Sequence, residues 1–64
     1  MEIENLKVNE IYENPDQMLI YIERHNNHLF KFGEVEIDEN GDFKIDKTKL
    51  NLLTHNEVKK LKKL

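Results

Sequence analysis

The groups in this sequence with chemistry beyond packing are three histidines, thirteen carboxylates and ten basic side chains, because Cys, Ser and Trp are all absent. His25 and His28 stand three apart around Asn26-Asn27, a spacing at which two imidazoles can share a transition metal. A closed zinc site needs four ligands. With no Cys and with His55 far along the chain, the pair reads as two exposed hairpin-tip residues, and no metal is expected. Asp38-Glu39-Asn40-Gly41-Asp42 opens like a calcium loop. Such a loop requires Gly at its sixth position and a bidentate Glu at its twelfth, and here those positions are Phe43 and Lys49. A hairpin turn accounts for the same residues.

Nucleophilic catalysis has only Thr48 and Thr54 to draw on, and these read as a strand-end residue and a helix N-cap. Acid–base catalysis by two carboxylates needs a pocket that drives their pKa values apart, and a chain of 64 residues has little interior in which to build one. No glycine-rich phosphate loop is present. The sequence therefore predicts neither an enzyme nor a cofactor.

Charge is distributed unevenly. Residues 1–46 hold twelve acidic side chains against Lys7, Arg24, Lys31 and Lys44, a net of −8. Residues 47–64 hold Lys47, Lys49, Lys59, Lys60, Lys62 and Lys63 against Glu57, a net of +5. The overall −3 is thus a cancellation between two segments, met either by the tail folding back on the acidic part or by a partner of opposite charge. Two candidate surfaces follow. One is acidic, formed by Glu34, Glu36, Asp38, Asp42 and Asp46; the other is basic, formed by Lys59, Lys60, Lys62 and Lys63. The basic set has no Arg and no interleaved aromatic for base stacking, and the chain's pI of about 5.5 lies far from the basic range of nucleic-acid-binding domains.

Three turn signals must position these residues. Asn14-Pro15-Asp16-Gln17 has Pro where a type I turn wants it, while Asn26-Asn27 and Asn40-Gly41 tolerate positive φ. Between them lie runs of strand length: Met18 to Glu23, Leu29 to Ile37 and Phe43 to Asp46. Cross-strand partners share a face, so the hairpin loops can be chosen by parity. The loop Glu39-Asn40-Gly41, closed by Asp38 and Asp42, pairs Ile37 with Phe43, Val35 with Ile45 and Glu36 with Lys44, with Gly41 left-handed. In the preceding hairpin the same test selects His25-Asn26-Asn27, which matches Ile22 with Phe30 and Ile20 with Phe32 and makes Asn27 left-handed. Phe30 and Phe32 are even-numbered whereas Val35 and Ile37 are odd, so a change of parity is expected near Gly33, bending the meander toward a half-barrel. Ahead of these, Leu6 to Tyr12 forms a strand with a kink at Asn9-Glu10, placing Ile11 opposite Ile20 and Tyr12 opposite Leu19.

At the C-terminus, Thr54-His55-Asn56-Glu57 is a capping box, with Leu53 and Val58 as the flanking hydrophobic staple. A helix is expected over 54–64 with Val58, Leu61 and Leu64 on its apolar side and the four lysines on the other.

The fold expected is therefore α+β, a single domain over 1–64. Residues 1–5 read as flexible, helical or an edge strand, 9–46 form an antiparallel meander of about four strands bent near Gly33, and one C-terminal amphipathic helix lies on its apolar face. The longest apolar run, Met18 to Ile22, is too short to span a bilayer, and the acidic start Met-Glu-Ile-Glu-Asn is unlike a signal peptide, so a cytoplasmic protein is expected. Richness in Lys, Asn, Ile and Glu with no Ala fits AT-rich coding, as in a low-G+C bacterium or its phage. The function expected is a small protein-binding inhibitor or regulator of phage type. It would occlude a basic surface on a protein partner with its acidic sheet face and would form a homodimer, because a core this small is marginal alone. The alternatives are a nucleic-acid accessory protein using the C-terminal lysines and a sponge holding a small nucleotide between protomers.

Overall fold

Turn residues and apolar runs set the strands, and the strands set everything else. The computed structural model describes residues 1–64. Its elements are a 3-10 turn Ile3–Asn5, β1 Ile11–Glu13, β2 Met18–Arg24, β3 Leu29–Ile37, β4 Phe43–Thr54, α1 His55–Lys59 and β5 Lys62–Lys63. Every neighbouring pair is antiparallel, in the sheet order β4-β3-β2-β1-β5. The architecture is the α+β meander expected, an open sheet with one short helix near the C-terminus.

Where local chemistry decides, the register agrees with the parity argument. Ile11 lies opposite Ile20 and Tyr12 opposite Leu19. Asn14 Oδ1 accepts the N–H groups of Asp16 and Gln17, each at 2.8 Å, which closes the first turn. In the third hairpin Ile37 pairs with Phe43, Val35 with Ile45 and Glu36 with Lys44, and Gly41 takes φ of 82°. Asp38 Oδ1 accepts from the N–H groups of Asn40 and Asp42, and the Asp38 carbonyl accepts from Gly41.

The second hairpin departs from expectation. Asn27 is not left-handed; among residues other than Gly only Asn9 has positive φ, at 67°. Side chains close this loop instead. Asn26 Oδ1 accepts from His28 and Leu29, while Arg24 donates to the carbonyls of Asn26 and Asn27 and lies 5.2 Å over the Phe30 ring. The pairing is also shifted: Tyr21 opposes Phe32 and Arg24 opposes Phe30, with a bulge between Tyr21 and Glu23. Matching Ile22 with Phe30 and Ile20 with Phe32 assumed that β2 has a single buried face. It is a central strand, with Leu19, Ile20 and Tyr21 buried in succession. The bulge lets the Tyr21 ring join Phe30 and Phe32, at centroid separations of 6.4 and 5.2 Å.

Near Gly33 the irregularity occurs, but in the other strand. β3 stays in register with β2 from Phe32 to Val35, so Phe30 and Phe32 point to one face and Val35 and Ile37 to the other. It is β4 that breaks step. Phe32 opposes Asn51 and Glu34 opposes Asp46, leaving residues 47–50 across from Gly33 alone. A Cβ on Gly33 would lie 3.1 Å from the Asp46 carbonyl oxygen, 3.1 Å from Lys47 Cα and 3.2 Å from Ile20 Cγ2. β4 therefore crosses tightly over Gly33, and Lys47 Nζ reaches Asn9 Oδ1 at 3.0 Å. Having crossed, β4 pairs again with Leu29–Phe32 and ends at Thr54 rather than at Asp46, because β3 still offers a free edge there.

The capping box forms as read. Thr54 Oγ1 accepts from the Glu57 N–H, and Glu57 Oε1 accepts from the Thr54 N–H. The helix, however, is five residues and not the whole of 54–64. After Lys60 the chain turns, Leu61 enters the core, and Lys62–Lys63 pair with β1. A short isolated helix gains little from extension, whereas a strand satisfies the open edge of β1. Leu64 consequently stays half exposed, outside the apolar stripe assigned to it. Residues 1–5 are also placed: Met1, Ile3 and Leu6 pack against the core, and the terminal amine donates to the Lys59 carbonyl.

The main core comprises Tyr12, Leu19, Tyr21, Phe30, Phe32, Leu53, Val58 and Leu61, on the face covered by α1 and the 3-10 turn. Tyr12 is fully enclosed, its hydroxyl accepting from the Lys7 N–H at 2.8 Å and donating to the Asn5 carbonyl at 3.5 Å. No helix is long and apolar enough to cross a membrane.

Candidate functional site: a protruding two-faced ribbon

β2 begins at Met18, opposite Val35, so the part of the β3–β4 hairpin from Glu36 to Lys44 has no third strand beside it. It is a two-stranded ribbon standing off the body of the sheet. Alternation sorts the residues of the ribbon and of the paired stretch at its base cleanly. Glu34, Glu36, Asp38, Asp42, Lys44 and Asp46 share one face, and Val35, Ile37, Phe43 and Ile45 share the other. The structure thus gathers all five residues of the acidic candidate surface onto one face.

These acids are partly occupied within the chain. Glu34, half-buried, accepts from Asn51 Nδ2 at 3.1 Å. Asp46 accepts from both the hydroxyl and the N–H of Thr48; these bonds, the hydroxyl's foremost, hold its carboxyl below the usual aspartate range, and the nearby Lys49 charge acts in the same direction. Asp38 is committed to the turn. Glu34 and Asp46 face each other directly, and Lys44 and Lys49 join them with Glu36 around a recess of about 110 Å³, which relieves the like-charge opposition. Glu36 and Asp42 remain exposed.

The basic candidate surface is not gathered in this way. Lys59 and Lys60 close the helix, whereas Lys62 and Lys63 lie on β5 at the opposite sheet edge from β4. Lys63 pairs with Tyr12 and Lys62 with Glu13, so these two point to opposite faces. Lys63 Nζ lies 3.5 Å from Glu10, and Lys60 and Lys62 line a recess of about 340 Å³ with Glu13, Asn14 and Pro15. The basic segment does fold back on acidic residues: Lys60, Lys62 and Lys63 on Glu10 and Glu13, and Lys49 beside Glu34 and Asp46, while Glu36 and Asp42 stay exposed. The histidines likewise do not converge: His55 Nε2 lies 3.0 Å from the Asn27 carbonyl with its ring edge-on to Phe30, and no three His, Asp or Glu side chains form a metal-binding group.

The ribbon's other side is apolar and open. Ile37, Phe43 and Ile45 are 57%, 50% and 46% exposed, with Leu50 and Leu52 further along β4. They were expected to be covered by the helix or a second chain, yet the helix lies on the opposite face of the sheet. Their shared parity was visible in the sequence; that the helix would not reach them was not. The largest recess, about 550 Å³, lies between the β1–β2 turn and the end of β3 and is lined by Asn14–Met18 and Glu34–Ile37, with no Thr or His among them. No protein-family model, curated protein or solved structure matches this chain, so its own geometry carries the functional reading.

Proposed function

We propose that this protein is a small non-enzymatic protein-binding module, an inhibitor or regulator of phage type acting in the cytoplasm, that occludes a basic surface on its partner with the β3–β4 ribbon. The observation that supports it is the placement of Glu34, Glu36, Asp38, Asp42 and Asp46 on one face of the β3–β4 hairpin, whose outer part from Glu36 to Lys44 stands clear of the rest of the sheet. Acidic side chains held on a strand pair keep a fixed spacing, which favours a specific complex over diffuse attraction. The lysines are divided between a helix end and the two faces of an edge strand, which disfavours a phosphate-tracking surface.

The test compares the native chain with a Glu36→Gln/Asp42→Asn variant, which removes two exposed charges without touching the turn bonds of the Asp38 side chain. Immobilised native protein is expected to retain a discrete partner at physiological salt, and the neutralised variant to lose it. Equal retention by both, or retention of nothing by the native chain, refutes the reading.

A further inference from the structure

The two edges of the sheet are treated very differently. One edge, β5, is two residues long and both are Lys, an ordinary way of blunting an edge against other strands. The other, β4, is twelve residues long and carries Phe43, Ile45, Leu50 and Leu52, four of the seven large apolar side chains the chain exposes. We propose that a second copy of this chain pairs with that edge, antiparallel to β4, about a two-fold axis passing beside Ile45.

Backbone polarity selects the residues. The Asp38 N–H donates to the Asp42 carbonyl at 2.9 Å, so Asp42 turns its backbone groups toward β3. By the two-residue alternation of an antiparallel ladder, Lys44 and Asp46 do the same, while Phe43 and Ile45 turn theirs outward to solvent. Ile45 of each copy can therefore exchange both backbone hydrogen bonds with Ile45 of the other.

Charge selects the register. A two-fold axis normal to the sheet keeps each face on its own side, so opposed residues must have the same parity. Centring on Lys44 would set Lys44 against itself and Asp42 against Asp46; centring on Asp46 would set that carboxylate against itself. Centring on Phe43 would run Ile45 against Gly41, whose N–H is already held by the Asp38 carbonyl at 3.0 Å. Centring on Ile45 sets Lys44 of each copy opposite Asp46 of the other on the charged face, and on the apolar face Ile45 against Ile45 and Phe43 against Lys47, whose aliphatic stem can lie along the ring while its amine stays in solvent. The edge and the acidic face are different surfaces, so Glu34, Glu36, Asp38 and Asp42 stay open, and each dimer presents two acidic ribbons side by side.

The experiment exploits the reciprocity of that pair. Light scattering of the native chain should rise from a mass of one chain to a mass of two with increasing concentration, and the amides of Phe43 and Ile45 should gain exchange protection over the same range. Lys44→Glu alone sets acid against acid twice in each dimer, and Asp46→Lys alone sets Lys against Lys twice, so each variant should remain at one chain. Mixed in equal amounts they place opposite charges together at both contacts, and the mass of two chains should return. A native chain that stays at one-chain mass up to near-millimolar concentration overturns the proposal, as does a dimer whose Phe43 and Ile45 amides exchange freely. If the single variants dimerise unmixed, or their folded mixture does not, the register is wrong and the proposal falls.

Discussion

Replacing Gly33 with Ala probes the feature that organises the sheet, the passage of β4 over β3. The new methyl group would meet the Asp46 carbonyl oxygen and Lys47 Cα, both at 3.1 Å, and Ile20 Cγ2 at 3.2 Å. Two of the three are backbone atoms, so relief requires β4 itself to move. Inserting a methyl group into such a packed site costs about 1–3 kcal/mol, while exchanging a strand glycine for alanine returns about 0.5–1 kcal/mol of chain entropy. The net ranges from about 0 to about 2.5 kcal/mol, and because two of the three neighbours are backbone atoms that cannot swing aside, the upper part of that range, about 1–2 kcal/mol, is expected. For a domain of this size each kcal/mol lowers the melting temperature by roughly 4–8 °C, which gives a fall of about 5–15 °C. Thermal and urea unfolding at one fixed protein concentration measure it, and an unchanged urea slope ties the loss to the native state. Gly41→Ala serves as the contrast. No atom lies within 4 Å of its Cβ position, but φ of 82° makes the left-handed conformation itself cost about 1–2 kcal/mol. Gly41→Asn should recover part of that loss, since Asn tolerates this conformation, whereas Gly33→Asn should be worse than Gly33→Ala. A Gly33→Ala protein as stable as the native chain would refute the close crossing of β4.

Three further expectations follow from individual hydrogen bonds. Tyr12→Phe leaves the Lys7 N–H without its 2.8 Å acceptor and should cost about 1–2 kcal/mol, with amide exchange quickening at Lys7. Thr54→Ala removes the cap of a helix only five residues long, for about 1 kcal/mol, and the Glu57 amide should exchange faster while Tyr12 and its neighbours are unaffected. Thr48→Val deletes the hydroxyl that chiefly holds the Asp46 carboxyl below its usual range, so its titration midpoint, followed by carboxyl NMR, should rise toward the ordinary aspartate value. Because the folded-state pKa of Asp46 is depressed, its contribution to stability is present above the ordinary value and lost as the pH falls through the lowered one; Thr48→Val should therefore flatten the acid limb of the stability profile.

Local chemistry was legible in the residues themselves. Asn14-Pro15, Asp38 and Asn40-Gly41, and the Thr54–Glu57 box each form bonds within a few positions, so they fold as they read. Parity did the same for the ribbon, where nothing lies beyond the two strands to disturb the pairing of Ile37 with Phe43, and it placed all five acidic candidates on one face. Tertiary structure decided the rest, wherever a residue's alternatives had similar local energies. The choice between Ile22 and Tyr21 as the partner of the phenylalanines depended on β2 being buried on both sides, a fact set by the passage of β4 and by α1. The break near Gly33 had to fall in one of two strands, and only the close passage of β4 over Gly33 placed it in residues 47–50. Lys62–Lys63 left the helix because β1, far away in sequence, had an open edge to fill. That turn divided the basic candidate surface, for the reason common to all three cases: long-range pairing and burial outweigh local preference when local preference is worth little.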